Sequence, residues 1–212
     1  MSLSRLDRDF SPHLLVWRGD GAFRTEAAEV QLREGRLQAT GTQIGVEPVA
    51  YRLDYELTTG KDYVTSSLRV AAAGECWSRG LELLREGDGW TVSAESSGDV
   101  DLPPPGGDAE EFAEALDCDL GLCPLTNTMP ILREGLHESD GGERDFVMAW
   151  VSVPDLRVVR SEQTYRHLRR EGDGAVVRYG GSHRGGTWEI EVDSAGLVVR
   201  YEDLAERVFP PA

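Results

Sequence analysis

Hydrophobic and polar residues alternate with a period of two through most of the chain. In Tyr51 to Leu57, the residues Tyr51, Leu53, Tyr55 and Leu57 share one face, and Arg52, Asp54 and Glu56 share the other. Val64, Leu68, Val70 and Ala72 share a face, as do Leu81 and Leu83, and Trp90, Val92 and Ala94 alternate with Thr91, Ser93 and Glu95. This pattern predicts strands of an antiparallel sheet with one wet face. Earlier, His13 to Trp17 and Arg36 to Ile44 read as strands, whereas Phe23 to Arg33 is mixed. Gly19-Asp20-Gly21, Glu34-Gly35, Thr59-Gly60-Lys61-Asp62, Gly74-Glu75 and Gly87-Asp88-Gly89 supply hairpin breaks.

The run ends at Leu102-Pro103-Pro104-Pro105-Gly106-Gly107, a stiff linker. Asp108 with Glu111 three residues on resembles a capping box, and Phe112 and Leu116 fall at i and i+4. A helix of about three turns is expected there. Phe146 to Val153 is nearly all apolar and predicts a strand buried on both faces. Leu156 to Val159, Thr164 to Arg169, Ala175 to Tyr179, Thr187 to Val192 and Leu197 to Tyr201 continue the sheet, and Glu202 to Val208 reads as a helical turn.

In all, roughly ten to thirteen strands and one short helix are expected. So little helix cannot cover so much half-apolar sheet, which must fold on itself as a sandwich, barrel or half-barrel. The fold class is therefore mainly β, a large curved antiparallel sheet, read as a single domain over 1–212. The string LLREGDG at 83–89 returns as LRREGDG at 168–174. That echo raises an internal duplication, with halves at about 1–102 and 143–212, against convergent turn chemistry. The inward aromatics Tyr51, Tyr55, Trp90, Trp188 and Tyr201 carry polar tips and suit a pocket for an amphiphile.

Between the halves, Asp117 to Leu136 reads as neither a clean strand nor a clean helix. It mixes Asp117, Asp119, Thr126, Asn127, Thr128 and Arg133 with six large apolar residues, Leu120, Leu122, Leu125, Met129, Ile131 and Leu132. That composition predicts an ordered segment tucked against the fold, either a structural crossover or the carrier of function.

Composition narrows the function. A formal net charge of −16 weighs against binding to nucleic acid and to anionic membranes. No apolar run is long enough to span a bilayer. Met1 to Ser11 is polar, with no signal-peptide core, and three cysteines (Cys76, Cys118, Cys123) suit a reducing cytosol, so a cytoplasmic location is expected. His13, His137, His167 and His183 show no metal-ligand spacing, and Cys118 with Cys123 has the wrong spacing for a zinc knuckle. No metal or cofactor is expected, and no nucleophile or phosphate-loop motif occurs.

The segment Asp119-Leu120-Gly121-x-x-Pro124-Leu125-Thr126-Asn127-Thr128-x-Pro130 resembles the putative glycolipid-binding family, a bacterial family once described as a domain of unknown function. Ala149-Trp150-Val151-x-Val153-Pro154-Asp155-Leu156, Gln163-x-Tyr165, and Glu191-Val192-Asp193-x-x-Gly196-Leu197-Val198-x-x-Tyr201 also match. The resemblance covers essentially the whole chain, more loosely in its amino-terminal half, where Tyr63 stands at an expected Trp. It implies a half-barrel like those of envelope lipoprotein carriers, with a hydrophobic cavity, and brings Gln163 and Tyr165 into the candidate site.

Three readings follow. In the first, the protein binds a glycolipid-like amphiphile, its acyl part in the half-barrel and its head group near Asp119, Thr126, Asn127 and Arg133. Short amide and carboxylate groups bond sugar hydroxyls, Arg133 suits a head-group phosphate, and Trp150 suits a sugar face or the core. In the second, a hydrolase or lyase acts on a small lipid in the same cavity, with Asp119 as base and Asn127 polarising a carbonyl. In the third, a structural or partner-binding β protein has no cavity.

Overall fold

The computed structural model describes residues 11–182 and 185–211. The amino-terminal stretch read for a signal, apart from Ser11, lies outside them, and so does His183. Alternation becomes strand almost throughout. The first half gives β1 (Ser11–Gly19), β2 (Arg24–Arg33), β3 (Arg36–Gly45), β4 (Tyr51–Thr59), β5 (Thr65–Ala73), β6 (Trp77–Glu86) and β7 (Gly89–Gly98). The second gives β8 (Asp117–Leu120), β9 (Arg144–Val151), β10 (Val158–Glu171), β11 (Gly174–Gly181), β12 (Gly186–Val192), β13 (Val198–Tyr201) and β14 (Ala205–Phe209).

All 14 strands form one curved, open sheet, a half-barrel. Its order is β7 to β1, then β14 to β8, so each half is a meander and the halves join where β1 pairs β14. Neighbours are antiparallel except β8 and β9, which run parallel because a long crossover separates them. The two copies of the repeated string close the β6–β7 and β10–β11 hairpins, where Gly87 and Gly172 take positive φ (59° and 55°).

Three local expectations change. The helix foreseen at Asp108–Leu116 is a short 3-10 helix, Ala109–Phe112. Asp108 does cap it, accepting from the Glu110 amide at 3.0 Å. Further on, the sheet claims the carbonyls: Ala115 O accepts from Trp90 Nε1 (2.9 Å) and Arg85 Nε (3.1 Å), and Leu116 O accepts from the Thr65 amide (3.1 Å). The one α-helix among the described residues, α1 (Thr128–Arg133), lies inside the central segment. Pro124 and Pro130 do not break structure there, since each sits in a first turn, where no amide donor is required. Finally, the helical turn expected at Glu202–Val208 is a tight turn followed by β14.

The hollow of the half-barrel is occupied by the chain itself. Phe112, Cys118, Leu125, Met129, Ile131 and Leu136 all have 0% exposure and join the single core with the inward residues of the sheet. At about 1.5–3 kcal/mol for each large apolar side chain, this burial holds the central segment in place. Polar contacts from both meanders fix its position. Thr65 on β5 receives the Cys118 amide (3.2 Å), Glu26 on β2 receives the Cys123 thiol (3.1 Å), and His167 on β10 meets Leu136 O (2.8 Å).

Candidate functional site

The central segment leaves one end of the hollow open as a cavity of about 480 Å³. The β1–β2 turn, the β3–β4 connection, the ends of β8 and β9 and the β13–β14 turn enclose it, with Tyr51, Tyr179 and Tyr201 on its wall. Two glycines make room for the tyrosines of β4. Gly45 and Gly41 stand opposite Tyr51 and Tyr55 in register. A Cβ at Gly45 would lie 2.5 Å from the Tyr51 ring, and one at Gly41 would lie 2.3 Å from the Tyr55 ring. The rings therefore lie across the β3 backbone and bring their hydroxyls toward β2.

There the Tyr55 hydroxyl meets a buried acid. Glu26, 2% exposed, accepts from Tyr55 Oη (2.7 Å), Cys123 Sγ (3.1 Å) and Gln43 Nε2 (3.0 Å). Burial pushes its carboxyl up; the three donors and the neighbouring Arg24 charge oppose that push. Burial also pushes the Cys123 thiol well up, as it does Cys118 (to about 12), so neither sulfur is an activated nucleophile. Arg24, on the cavity wall, donates to Leu204 O at 2.5 Å. Tyr51, 4% exposed, is pushed up to about 12, chiefly by burial, and its hydroxyl has no hydrogen-bond partner.

The opposite wall carries three of the seven residues nominated from sequence, Asp119, Asn127 and Trp150. Asp119 at the end of β8 is in register with Trp150 on β9, and both line the cavity with Asn127. Asp119 Oδ1 accepts from Thr126 Oγ1 (2.8 Å), and Oδ2 accepts from Gln163 Nε2 (2.6 Å). Tyr165 Oη stands 2.9 Å from Asn127 Oδ1 and 3.0 Å from Gln163 Oε1, with one hydrogen for two acceptors. Asn127 Nδ2 donates to Pro124 O at 3.3 Å. Five of the seven nominated residues (Asp119, Thr126, Asn127, Gln163, Tyr165) thus form one network, and Trp150 stands beside it. Burial pushes the Asp119 carboxyl up to about 6, against the Gln163 and Thr126 donors, with Asp117 adding a smaller push.

Arg133 is placed differently. Its guanidinium grips Asp117 with two bonds (2.9 and 2.6 Å) and lies 5.4 Å from the Phe146 ring centroid. Both members of the pair are nearly closed to solvent, with side chains 10% and 1% exposed. The fork expected to meet a head-group phosphate is committed within the protein, and Arg133 is not on the cavity wall. Among the described residues, no three His, Cys, Asp or Glu side chains converge as a metal site.

Sequence reasoning missed Glu26 and Arg24. For Glu26 a signal existed: it is in phase with Ala28 and Val30, the inward residues of β2. Arg24 shares that phase, but its partner, the Leu204 carbonyl, lies on the β13–β14 turn, far away in the chain.

Comparison with known proteins agrees with this architecture. The profile of the family described as "Putative glycolipid-binding" matches residues 14–207, and the chain belongs to that family. A crystal structure of a DUF1089 family protein from Pseudomonas aeruginosa is similar in fold, with 24% sequence identity, a TM-score of 0.66, and coverage of 91% of this chain and 95% of that one. No protein of curated function matches the chain.

Proposed function

We propose that this member of the glycolipid-binding family holds an amphiphile with its polar head in the cavity and its apolar part leaving across the rim. One observation carries the reading. The wall combines aromatic rings with a carboxylate and an amide, while Phe23 and Val46 at the cavity's edge are 64% and 47% exposed. Pockets of a few hundred Å³ with a few convergent polar groups are usual ligand sites. The central segment occupies the half-barrel hollow, so an acyl chain takes its contacts from the rim rather than from a trough along the sheet. No helix among the described residues is long and apolar enough to cross a membrane. The free thiols Cys76, Cys118 and Cys123 suit a reducing compartment.

The test is native mass spectrometry of the purified protein, with solvent extraction and a panel of added lipids. A bound amphiphile, carried along or taken up, supports the reading. A protein that stays empty against glycolipids, fatty acids and lysolipids contradicts it.

A second reading rests on Asp119 alone. A cavity carboxyl titrating near 6 is suited to general-base work on a bound ester or glycoside. Turnover of an acyl or glycosyl substrate that is abolished in Asp119→Asn, with binding retained, would favour it. Binding without turnover across such a panel would remove it.

A further inference from the structure

We propose that the free edge of β7 is a docking site for an extended, basic segment of another protein, which adds to the sheet as one further strand. The proposal is independent of the cavity, whose wall takes no residue from β7.

An open sheet has two edges, and here they differ. β8, at one end of the strand order, is four residues long, and β5 caps it. The Cys118 amide donates to Thr65 Oγ1 (3.2 Å), and the Thr65 amide donates to Leu116 O (3.1 Å). β7, at the other end, is ten residues long. The two-residue turn makes Glu86 and Gly89 the hydrogen-bonded closing pair of the β6–β7 hairpin. Counted by twos from there, the backbone groups of Thr91, Ser93, Glu95 and Ser97 point to β6, and those of Val92, Ala94 and Ser96 point away from it. The latter have no backbone partner among the described residues. Ser93 to Gly98 are all exposed, so this row of donors and acceptors opens on solvent.

Exposed edges are normally blunted by lysine, proline, a bulge or shortness. β7 has none of these. Its sequence, GWTVSAESSG, contains no lysine or proline, and its register with β6 runs unbroken from Glu86–Gly89 to Trp77–Gly98. It is a long, regular template for strand addition.

Charge selects the partner. Glu86 and Asp88 at the hairpin end, Glu95 in the strand, and Asp99 and Asp101 beyond its other end are all exposed. The neighbouring cation, Arg85, donates instead to the Gly87 and Ala115 carbonyls. A second copy of this chain is a poor match. Two β7 strands paired antiparallel about Ala94 would bring Asp88 of one against Asp99 of the other, between chains that each carry a net charge of −16. A strand with lysine or arginine at alternate positions sets a cation opposite Glu95 on the outer face and others near the acids at both ends. Its remaining side chains face Val92, Ala94 and Ser96. Opposite Ala94 they must be small, because Gly106 of the linker comes so near that a Cβ there would lie 3.1 Å from the Ala94 Cβ.

The test is fluorescence anisotropy of the whole protein with labelled peptides about ten residues long, the length of a strand. One alternates lysine and valine, one alternates glutamate and valine, and one is the lysine peptide with alternate amides N-methylated, which keeps the charge and blocks strand pairing. The lysine peptide is expected to bind at least about tenfold tighter than either control and to weaken as salt is added. Ala94→Pro removes an edge N–H that β6 does not use and is expected to weaken the lysine peptide at least about tenfold, with an unchanged urea curve. Glu95→Gln, which leaves the backbone intact, is expected to weaken it about two- to threefold. Hydrogen exchange at the Val92, Ala94 and Ser96 amides should slow when the peptide is added. Equal binding of the lysine peptide and its N-methylated form, or no slowing at those amides, overturns the edge as the site. Equal binding of the glutamate peptide overturns the choice of partner. No binding of the lysine peptide overturns the proposal outright. A protein that sediments as a dimer, and as a monomer in Ala94→Pro, gives the edge to a second copy and overturns it as well.

Discussion

Asp117 and Asp119 sit two residues apart on one face of β8, and burial pushes both carboxyls up. Their partners differ. Asp117 faces a cation: the Arg133 fork takes both its oxygens and opposes the push of burial. Asp119 faces only neutral donors, a threonine hydroxyl and a glutamine amide, and it opens on the cavity. The first arrangement is complete within the protein. The second leaves a carboxylate with unspent acceptor capacity and a pKa near working pH, the condition in which a ligand or a proton can still be taken up. The two acids thus differ in the charge of their partner and in what lies on their other side, not in burial.

Five substitutions break or sharpen the contrast. Arg133→Met leaves Asp117 buried without its partner and is expected to cost about 3–5 kcal/mol in urea denaturation. Adding Asp117→Asn should recover most of that loss, which marks the pair as a closed unit. Gly45→Ala places a Cβ 2.5 Å from the Tyr51 ring and is expected to cost about 1–3 kcal/mol, with a changed near-UV circular dichroism signal from the displaced tyrosine.

Asp119→Asn should act with the opposite sign. A carboxyl raised in the folded state holds its proton more tightly there than in the unfolded chain. Its contribution to stability is therefore full below about pH 4 and is lost as pH rises through about 6. The variant is expected to be more stable than the wild type by about 1–2 kcal/mol at pH 7.5, with solvent in the cavity limiting the gain, and indistinguishable from it at pH 4. Paired urea curves at the two values check this, and equal stability at pH 7.5 would count against a strained Asp119. The smallest effect belongs to Thr126→Val, which removes one donor from Asp119 at about 1 kcal/mol and moves the Asp119 titration further up, read by carboxyl NMR.

Much of the fold was legible because inward positions are apolar in most strands. Tyr51, Leu53, Tyr55 and Leu57 gave β4 its phase, and the same phase put the two tyrosines on the concave side. The strands that escaped are those whose inward positions carry charge. In β14 the inward residues are Ala205 and Arg207, while Val208 and Phe209 are exposed. The alternation is inverted because Arg207 is satisfied by Asp193 at 2.7 Å, a partner in another connection. In β2 the inward Glu26 blurs the pattern in the same way.

The central segment was recognised as ordered from its six large apolar residues, but not as the filling of the half-barrel. Composition shows that a segment is buried without showing what it is buried in. The site followed the same rule. Asp119, Thr126 and Asn127 are near neighbours in sequence and could be nominated together. Arg24 and Tyr51 reach the cavity from strands far away in the chain, through glycines whose importance appears only when strand pairs with strand.

The most direct measurement is a carbon-detected NMR titration of the Asp117 and Asp119 carboxyls in one sample, repeated with octyl glucoside. The account predicts that the Asp119 signal titrates near pH 6 and moves when the glucoside is added, while the Asp117 signal does not respond to it. A glucoside that moves neither carboxyl, or moves Asp117 and not Asp119, would contradict the assignment of the open carboxylate as the ligand-facing one.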